Sequence, residues 1–178
     1  MKLLINRLKA KGYKISAAES CTGGLVSKLL TDVSGASEVF DCAVTTYSNE
    51  AKIALLGVKP ETLATYSAIS EEVACEMAQG VLRLSGSDIS VSVTGLAGPN
   101  SDGSGKPVGT VCIGIATAEK CYAKTFMFAG NRNEIRKRSA KMACTMVFDE
   151  LGISPQKDKL TKRAVGKVKK ITKKIRRK

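Results

Sequence analysis

Ser20, Tyr47 and Lys52 are the residues whose types and spacing could do chemistry, in a chain that contains no histidine. The serine sits in Ala17-Ala18-Glu19-Ser20-Cys21-Thr22-Gly23-Gly24, and the other two in Thr46-Tyr47-Ser48-Asn49-Glu50-Ala51-Lys52. A serine hydroxyl becomes a nucleophile only when a neighbouring base takes its proton. With imidazole unavailable, that base would be a lysine kept neutral by burial or by neighbouring positive charge. This is the Ser/Lys variant of the serine-histidine-aspartate arrangement. Cys21 is the rival nucleophile, since a thiolate is intrinsically more reactive.

The elements around these residues decide whether they can meet. Lys14 to Ala18 reads as a strand, and Gly23-Gly24-Leu25-Val26 opens an apolar-periodic helix running to about Val33. Ser20 to Gly24 then form a strand-to-helix turn, which projects a side chain at the carboxyl end of a sheet and aims backbone N–H groups at an oxyanion or phosphate. The turn alone has a plainer reading, in which Ser20 or Thr22 is only the helix N-cap. Further on, helices are expected over Leu3 to Lys11, Asn49 to Leu56, Glu71 to Leu84 and Asn133 to Leu151. Strands are expected over Val39 to Tyr47, Ile89 to Thr94, Val108 to Thr117 and Tyr122 to Phe128, the last two as an antiparallel pair. The alternation predicts a three-layer α/β/α sandwich on a mixed, mostly parallel sheet.

Five ordered motifs carry a family resemblance. They are Glu19 to Gly24; Tyr47 to Lys52 with Leu55-Leu56-Gly57-Val58; Ser70-Glu71-Glu72-Val73-Ala74; Thr94-Gly95-Leu96-Ala97-Gly98-Pro99; and Lys106-Pro107-Val108-Gly109-Thr110-Val111. Together they resemble the CinA carboxyl-terminal domain family, whose enzymatic members are nicotinamide-nucleotide amidases, or NMN deamidases, over about residues 3 to 152. Ser67-Ala68-Ile69-Ser70 and Asp41-Cys42-Ala43 depart from the usual family pattern without touching the proposed chemistry. Longer CinA proteins carry a further amino-terminal domain, and this chain is similar to the stand-alone form.

The resemblance implies hydrolysis of the carboxamide of nicotinamide mononucleotide, with Ser20 as nucleophile, Lys52 as general base and Tyr47 orienting or relaying the proton. Turn amides near Cys21, Thr22, Gly23 and Gly24 would steady the oxyanion, and neither metal nor organic cofactor is expected. Thr94 and Gly95, at the head of a loop with glycines at 95, 98, 103 and 105, are expected to contact substrate, although the loop's composition alone fits an ordinary surface turn. Arg132 is expected to grip the 5′-phosphate; its plainer reading is a solvated arginine pairing with Glu134. Family members generally associate, so a homo-oligomer is expected.

Charge is unevenly placed. Residues 1 to 152 hold 17 Lys+Arg against 15 Asp+Glu, whereas residues 153 to 178 hold 12 basic residues and one acidic. The chain therefore reads as an amidase-like domain, 1 to 152, followed by a basic tail, 153 to 178, whose Leu160, Ala164, Val168, Ile171 and Ile175 would line one helical face. Such a tail suits a polyanion, either nucleic acid or an acidic membrane surface, or is simply solvated. Two other readings of the whole chain stay open: an inactive nucleotide-binding module, and a nucleic-acid-associated protein recruited by the tail.

The six cysteines are scattered without a C-x-x-C pair and read as small buried hydrophobes in a reduced compartment. The amino terminus lacks a secretory pattern and no apolar run could span a bilayer, so a cytoplasmic location is expected.

Overall fold

The computed structural model describes residues 1–152, and the basic tail expected over 153 to 178 lies outside the described residues. The chain divides into two compact units, 1–145 and 146–178; of the second only 146–152 are described, the end of the last helix and the turn after it. The first unit follows the order α1 (Lys2–Lys11), β1 (Ile15–Glu19), α2 (Leu25–Thr31), a 3-10 turn (Ala36–Glu38), β2 (Phe40–Thr45), α3 (Asn49–Leu56), α4 (Pro60–Tyr66), α5 (Glu71–Ser85), β3 (Ile89–Gly95), β4 (Thr110–Thr117) and β5 (Cys121–Met127). It closes with most of α6 (Arg132–Glu150). No helix among the described residues is long and apolar enough to cross a membrane.

The five strands form one mixed sheet in the order β2-β1-β3-β4-β5. β1 pairs in parallel with both β2 and β3, while β3–β4 and β4–β5 are antiparallel. The crossover from β1 to β2 runs one way along the sheet, and that from β2 to β3 runs the other way past β1. Right-handed connections therefore place α2 and α5 on opposite faces, giving the α/β/α layering that the alternation of elements predicted.

Strand β3 is buried on both faces. Ile89, Val91 and Val93 supply one apolar row, but the other row is hydroxylic and faces α5. Ser90 Oγ donates to Ala78 O at 2.7 Å, Ser92 Oγ to Ala74 O at 2.5 Å, and Thr94 Oγ1 to Ala68 O at 2.7 Å. Each buried hydroxyl thus finds an acceptor for its proton on a helix or helix-entry carbonyl, so none is stranded where α5 packs tightly on the sheet. At Gly114 of β4 a Cβ would come within 2.5 Å of Ala74 O, so α5 lies closer to the sheet than any side chain there would permit. An apolar cluster of Ala18, Leu56, Val58, Val73, Met77 and Val81 fills the space between β1, α3 and α5.

Two elements differ from the sequence expectation. The helix expected from Gly23 to Val33 is the shorter α2, and α4 was not expected at all. Pro60 at its first turn and Glu61 are ordinary helix-start signals, but α4 has no buried residue and so presents no apolar stripe to read.

Candidate active site

The strand-to-helix turn is held by a side chain that sequence reading left without a role. Glu19, the last residue of β1, is 1 % exposed. Its Oε2 accepts from the N–H groups of Gly24 and Val26 at 2.9 and 3.1 Å, and its Oε1 from the N–H and hydroxyl of Ser27 at 2.9 and 2.6 Å. A carboxylate there satisfies the orphan donors of α2 and complements its dipole. The N-cap position itself is Gly24, at φ 91°, without a side-chain cap bond. Neither Ser20 nor Thr22 caps the helix, which corrects the plainer reading of the turn.

From α6, Arg136 grips the other side of the same turn. Its Nε donates to Cys21 O at 3.0 Å and its Nη2 to Thr22 O at 2.8 Å. The turn is therefore fixed between a carboxylate that collects its N–H groups and a guanidinium that collects its carbonyls. The signal for Arg136 in sequence was only its place one helical turn beyond Arg132.

Lys52 meets Ser20 inside the fold. Helix α3 begins at a Ser48 N-cap whose side chain accepts from Ala51 N–H, and one turn later it delivers Lys52 inward, 2 % exposed. Lys52 Nζ lies 3.4 Å from Ser20 Oγ and donates to Thr46 O at 3.1 Å and Ser48 O at 3.4 Å. Burial in low dielectric disfavours the ammonium and lowers the Lys52 pKa from its ordinary 10.5; the Glu50 carboxylate opposes this in smaller measure. Of the two influences that would lower a lysine pKa, burial is the one present.

Cys21 has the opposite character. Desolvation pushes its thiol up to about 12, so at neutral pH it carries its proton and is not a thiolate.

Ser20, Cys21, Tyr47, Lys52, Thr94, Gly95 and Arg132 line one cavity of about 210 Å³, together with Asn49, Ala68, Ile69, Leu96, Ala97 and Asp102. Thr22, Gly23 and Gly24 are not brought into its wall. The N–H of Gly23 donates to Ser20 O at 3.0 Å and that of Gly24 to Glu19, so these two amides are engaged within the turn. Among the described residues the N–H groups of Cys21 and Thr22 have no such partner.

Tyr47 is 61 % exposed and stands at the rim, not between Ser20 and Lys52. Its hydroxyl accepts from Arg132 Nη2 at 2.7 Å, while Arg132 Nη1 donates to Gly98 O at 2.6 Å. Arg132 is thus braced between the tyrosine and the glycine-rich loop rather than paired with Glu134, whose carboxylate accepts from Asn131 N–H at 2.9 Å. Gly95 is required by packing: a Cβ there would fall 2.7 Å from Thr110 O and 2.8 Å from the Val111 Cα. Asp102 was missed because nothing in its loop marked it. Its carboxyl is held below the usual range, chiefly by the Ser104 hydroxyl, which donates to it at 2.6 Å.

Fold and site together define an α/β/α domain with a buried serine–lysine pair at the carboxyl end of β1. The chain belongs to the CinA C-terminal domain family, whose profile matches residues 1–151. It is 51 % identical over 145 residues to a competence-damage inducible protein of Caldanaerobacter subterraneus subsp. tengcongensis, covering 82 % of this chain and 35 % of that protein. It is 48 % identical over 151 residues to a CinA-like protein of Chloroherpeton thalassium, covering 83 % and 36 %. The chain therefore spans about a third of the length of the curated relatives it matches.

Among solved structures, the competence/damage inducible protein CihA of Agrobacterium tumefaciens superposes with a TM-score of 0.81 at 37 % identity, over 85 % of this chain and 92 % of that one. The competence or damage-inducible protein of Enterobacter asburiae gives 0.82 at 32 %, over 84 % and 94 %.

Proposed function

We propose that this domain hydrolyses the carboxamide of nicotinamide mononucleotide, giving nicotinate mononucleotide and ammonia. The observation that carries the reading is the buried Lys52 Nζ at 3.4 Å from Ser20 Oγ in the cavity wall. Neutral Lys52 takes the proton as Ser20 Oγ attacks the amide carbon. The tetrahedral oxyanion lies against the amide of Cys21 in the cavity wall, in a turn that Arg136 holds by its carbonyls. The Lys52 ammonium returns its proton to the departing amine and ammonia leaves. Water, activated by the same lysine, then cleaves the acyl-serine ester.

The remaining wall residues fit the rest of this substrate. Thr94 gives its hydroxyl proton to Ala68 O, so it presents lone pairs to the cavity and can accept from the carboxamide NH2. The ionised Asp102 suits the cationic pyridinium ring. Arg132 keeps three of its five donors beyond its two bonds to Gly98 and Tyr47, enough for a phosphate. Tyr47 serves by aiming Arg132.

Ammonia release from nicotinamide mononucleotide, nicotinamide riboside and free nicotinamide, compared on the purified chain, tests the reading. Clear preference for the mononucleotide is expected. Equal turnover of riboside and mononucleotide would remove Arg132 from its role, and no release from any of the three would favour a binding module.

A further inference from the structure

Two cysteines 46 positions apart in sequence meet on the α5 side of the sheet. Cys75 lies in the second turn of α5, and Cys121 opens the edge strand β5, where it pairs with Ala116. Cys121 Sγ donates to Cys75 Sγ across 2.6 Å and lies 3.4 Å from the Cys75 carbonyl oxygen. Both residues are half-buried free thiols, so solvent reaches them, and neither lines the cavity that holds Ser20 and Lys52.

The pair is chemically unequal. The hydrogen bond from Cys121 lowers the Cys75 pKa below its ordinary 9.0, against opposing effects of burial and of Glu71, Glu72 and Glu76. The same contact, followed by burial, raises that of Cys121. One sulfur is therefore the better nucleophile and the other keeps its proton. The remaining cysteines differ. Burial raises the thiols of Cys21, Cys112 and Cys144, and among the described residues none of these, nor Cys42, has a second sulfur in bonding contact.

We propose that Cys75 and Cys121 form a reversible redox site, which an oxidant of the peroxide class converts to an intramolecular disulfide clamping α5 to the edge strand. Cys75 Sγ, as thiolate, attacks one peroxide oxygen; the O–O bond breaks, and the product is a sulfenic acid at Cys75 with hydroxide that becomes water. Cys121 Sγ then attacks the Cys75 sulfur, the S–O bond breaks, and the hydroxyl leaves as a second water with the Cys121 proton. Two thiols lose two electrons and one peroxide becomes two waters. A dithiol reverses the reaction by exchange through a mixed disulfide. The closed ring contains β3, the cavity loop from Leu96 to Gly109, and β4, so the clamp confines the stretch of chain that carries Thr94, Gly95 and Asp102.

The test uses the full reduced chain, treated with hydrogen peroxide, alkylated, digested without reductant and mapped by mass spectrometry beside thermal melts. The expected result is a Cys75–Cys121 linked peptide, two hydrogens lighter than its parts, and a Tm higher by roughly 5 °C or more, since closing a loop of this length restricts the unfolded chain. Dithiothreitol should reverse both. Cys75→Ser and Cys121→Ser should each abolish the linked peptide and the Tm rise. Sulfinic acid at Cys75 with Cys121 still alkylated, linkage through Cys42 or between chains, or a linked peptide without a change in Tm would each overturn the proposal. Peptide mass and Tm are read without reference to amidase activity, so the outcome stands apart from the function proposed above.

Discussion

Replacing Glu19 by glutamine separates the two jobs that meet at the strand-to-helix turn, since Glu19 holds the turn and Ser20 does not. The buried carboxylate accepts four hydrogen bonds, three from backbone N–H groups and one from the Ser27 hydroxyl. Glutamine keeps the shape but exchanges one oxygen for an NH2. Whichever way the amide is turned, that NH2 faces at least one backbone N–H, which loses its acceptor. An unsatisfied buried donor costs about 1–3 kcal/mol, and the surviving bonds fall from charge-assisted to neutral strength. The favourable interaction with the α2 dipole is lost as well, at about 0.3–2 kcal/mol. The neutral amide is relieved of the desolvation that a buried carboxylate suffers, which offsets part of the loss.

With four bonds converging on one group, the loss wins, by about 2 kcal/mol. For a chain of this size that lowers Tm by about 4–8 °C. The assay is a calorimetric or circular-dichroism melt, run beside Ser20→Ala. The Ser20 hydroxyl caps no N–H, and its contact is with Lys52 Nζ. Ser20→Ala should therefore melt within about 2 °C of the parent while releasing no ammonia from nicotinamide mononucleotide. A Glu19→Gln variant that melts with the parent, or a Ser20→Ala variant that loses as much as Glu19→Gln, would refute the assignment of the cap to Glu19.

Lys52→Arg should abolish turnover, because a guanidinium stays charged at any working pH and cannot take the Ser20 proton; parental rates would show that Lys52 is not the base. In the parent, kcat/KM should rise with pH along a limb whose midpoint lies below the ordinary lysine range, since burial lowers the Lys52 pKa and the neutral form is the active one. The same shift makes stability rise with pH between the folded and the unfolded pKa, where the unfolded chain binds the extra proton, and this contribution disappears as pH falls through the folded value; melts of Lys52→Met across that window should lack the dependence. Cys21→Ala should keep most activity, because the thiol, pushed up to about 12, is protonated at neutral pH; loss equal to that of Ser20→Ala would make Cys21 the nucleophile. Asp102→Asn should raise KM for nicotinamide mononucleotide with little change in kcat, and an unchanged KM would place the pyridinium elsewhere. Deleting residues 155 to 178 removes a net +11 of charge and should leave melting and ammonia release unchanged while abolishing salt-sensitive retention on a polyanion; retention by the shortened chain would locate an anion site in the domain itself.

The sheet was legible where side chains repeat with the period of their element. Ile89, Val91 and Val93 mark β3, and Val73, Met77 and Val81 mark the buried face of α5. α4 escaped because none of its seven residues is fully buried and only Leu63 packs against the core cluster, leaving its start signals with no stripe behind them. Ser20 and Lys52 stood out by residue type and spacing, and their approach to 3.4 Å is something that spacing alone could not give. Glu19, beside Ser20, and Arg136, in the helix expected from Asn133, carried no readable signal, because their roles depend on backbone atoms. A carboxylate that collects N–H groups and a guanidinium that collects carbonyls leave no mark in residue order, since every residue offers those partners equally. The adjacency of Cys75 and Cys121 was invisible for a related reason: it arises from the β4–β5 turn returning the chain to α5, and no local pattern encodes that return.

The chemistry of Lys52 rests on how it is enclosed. A lysine in a purely apolar pocket would lose its proton readily but would also be free to adopt many rotamers, and its nitrogen would seldom face the serine. Here Thr46 O and Ser48 O, at the end of β2 and the entry to α3, accept from Nζ and aim its remaining valence at Ser20 Oγ. Those carbonyls also favour the ammonium, so they work against the desolvation that lowers its pKa. Desolvation is the larger influence, so the nitrogen is aimed while its ammonium form is disfavoured. The Ser48 side chain completes the arrangement by capping α3 through Ala51 N–H. One residue therefore starts the helix that delivers the lysine and supplies a carbonyl that orients it, which is why the motif from Tyr47 to Lys52 acts as a structural unit.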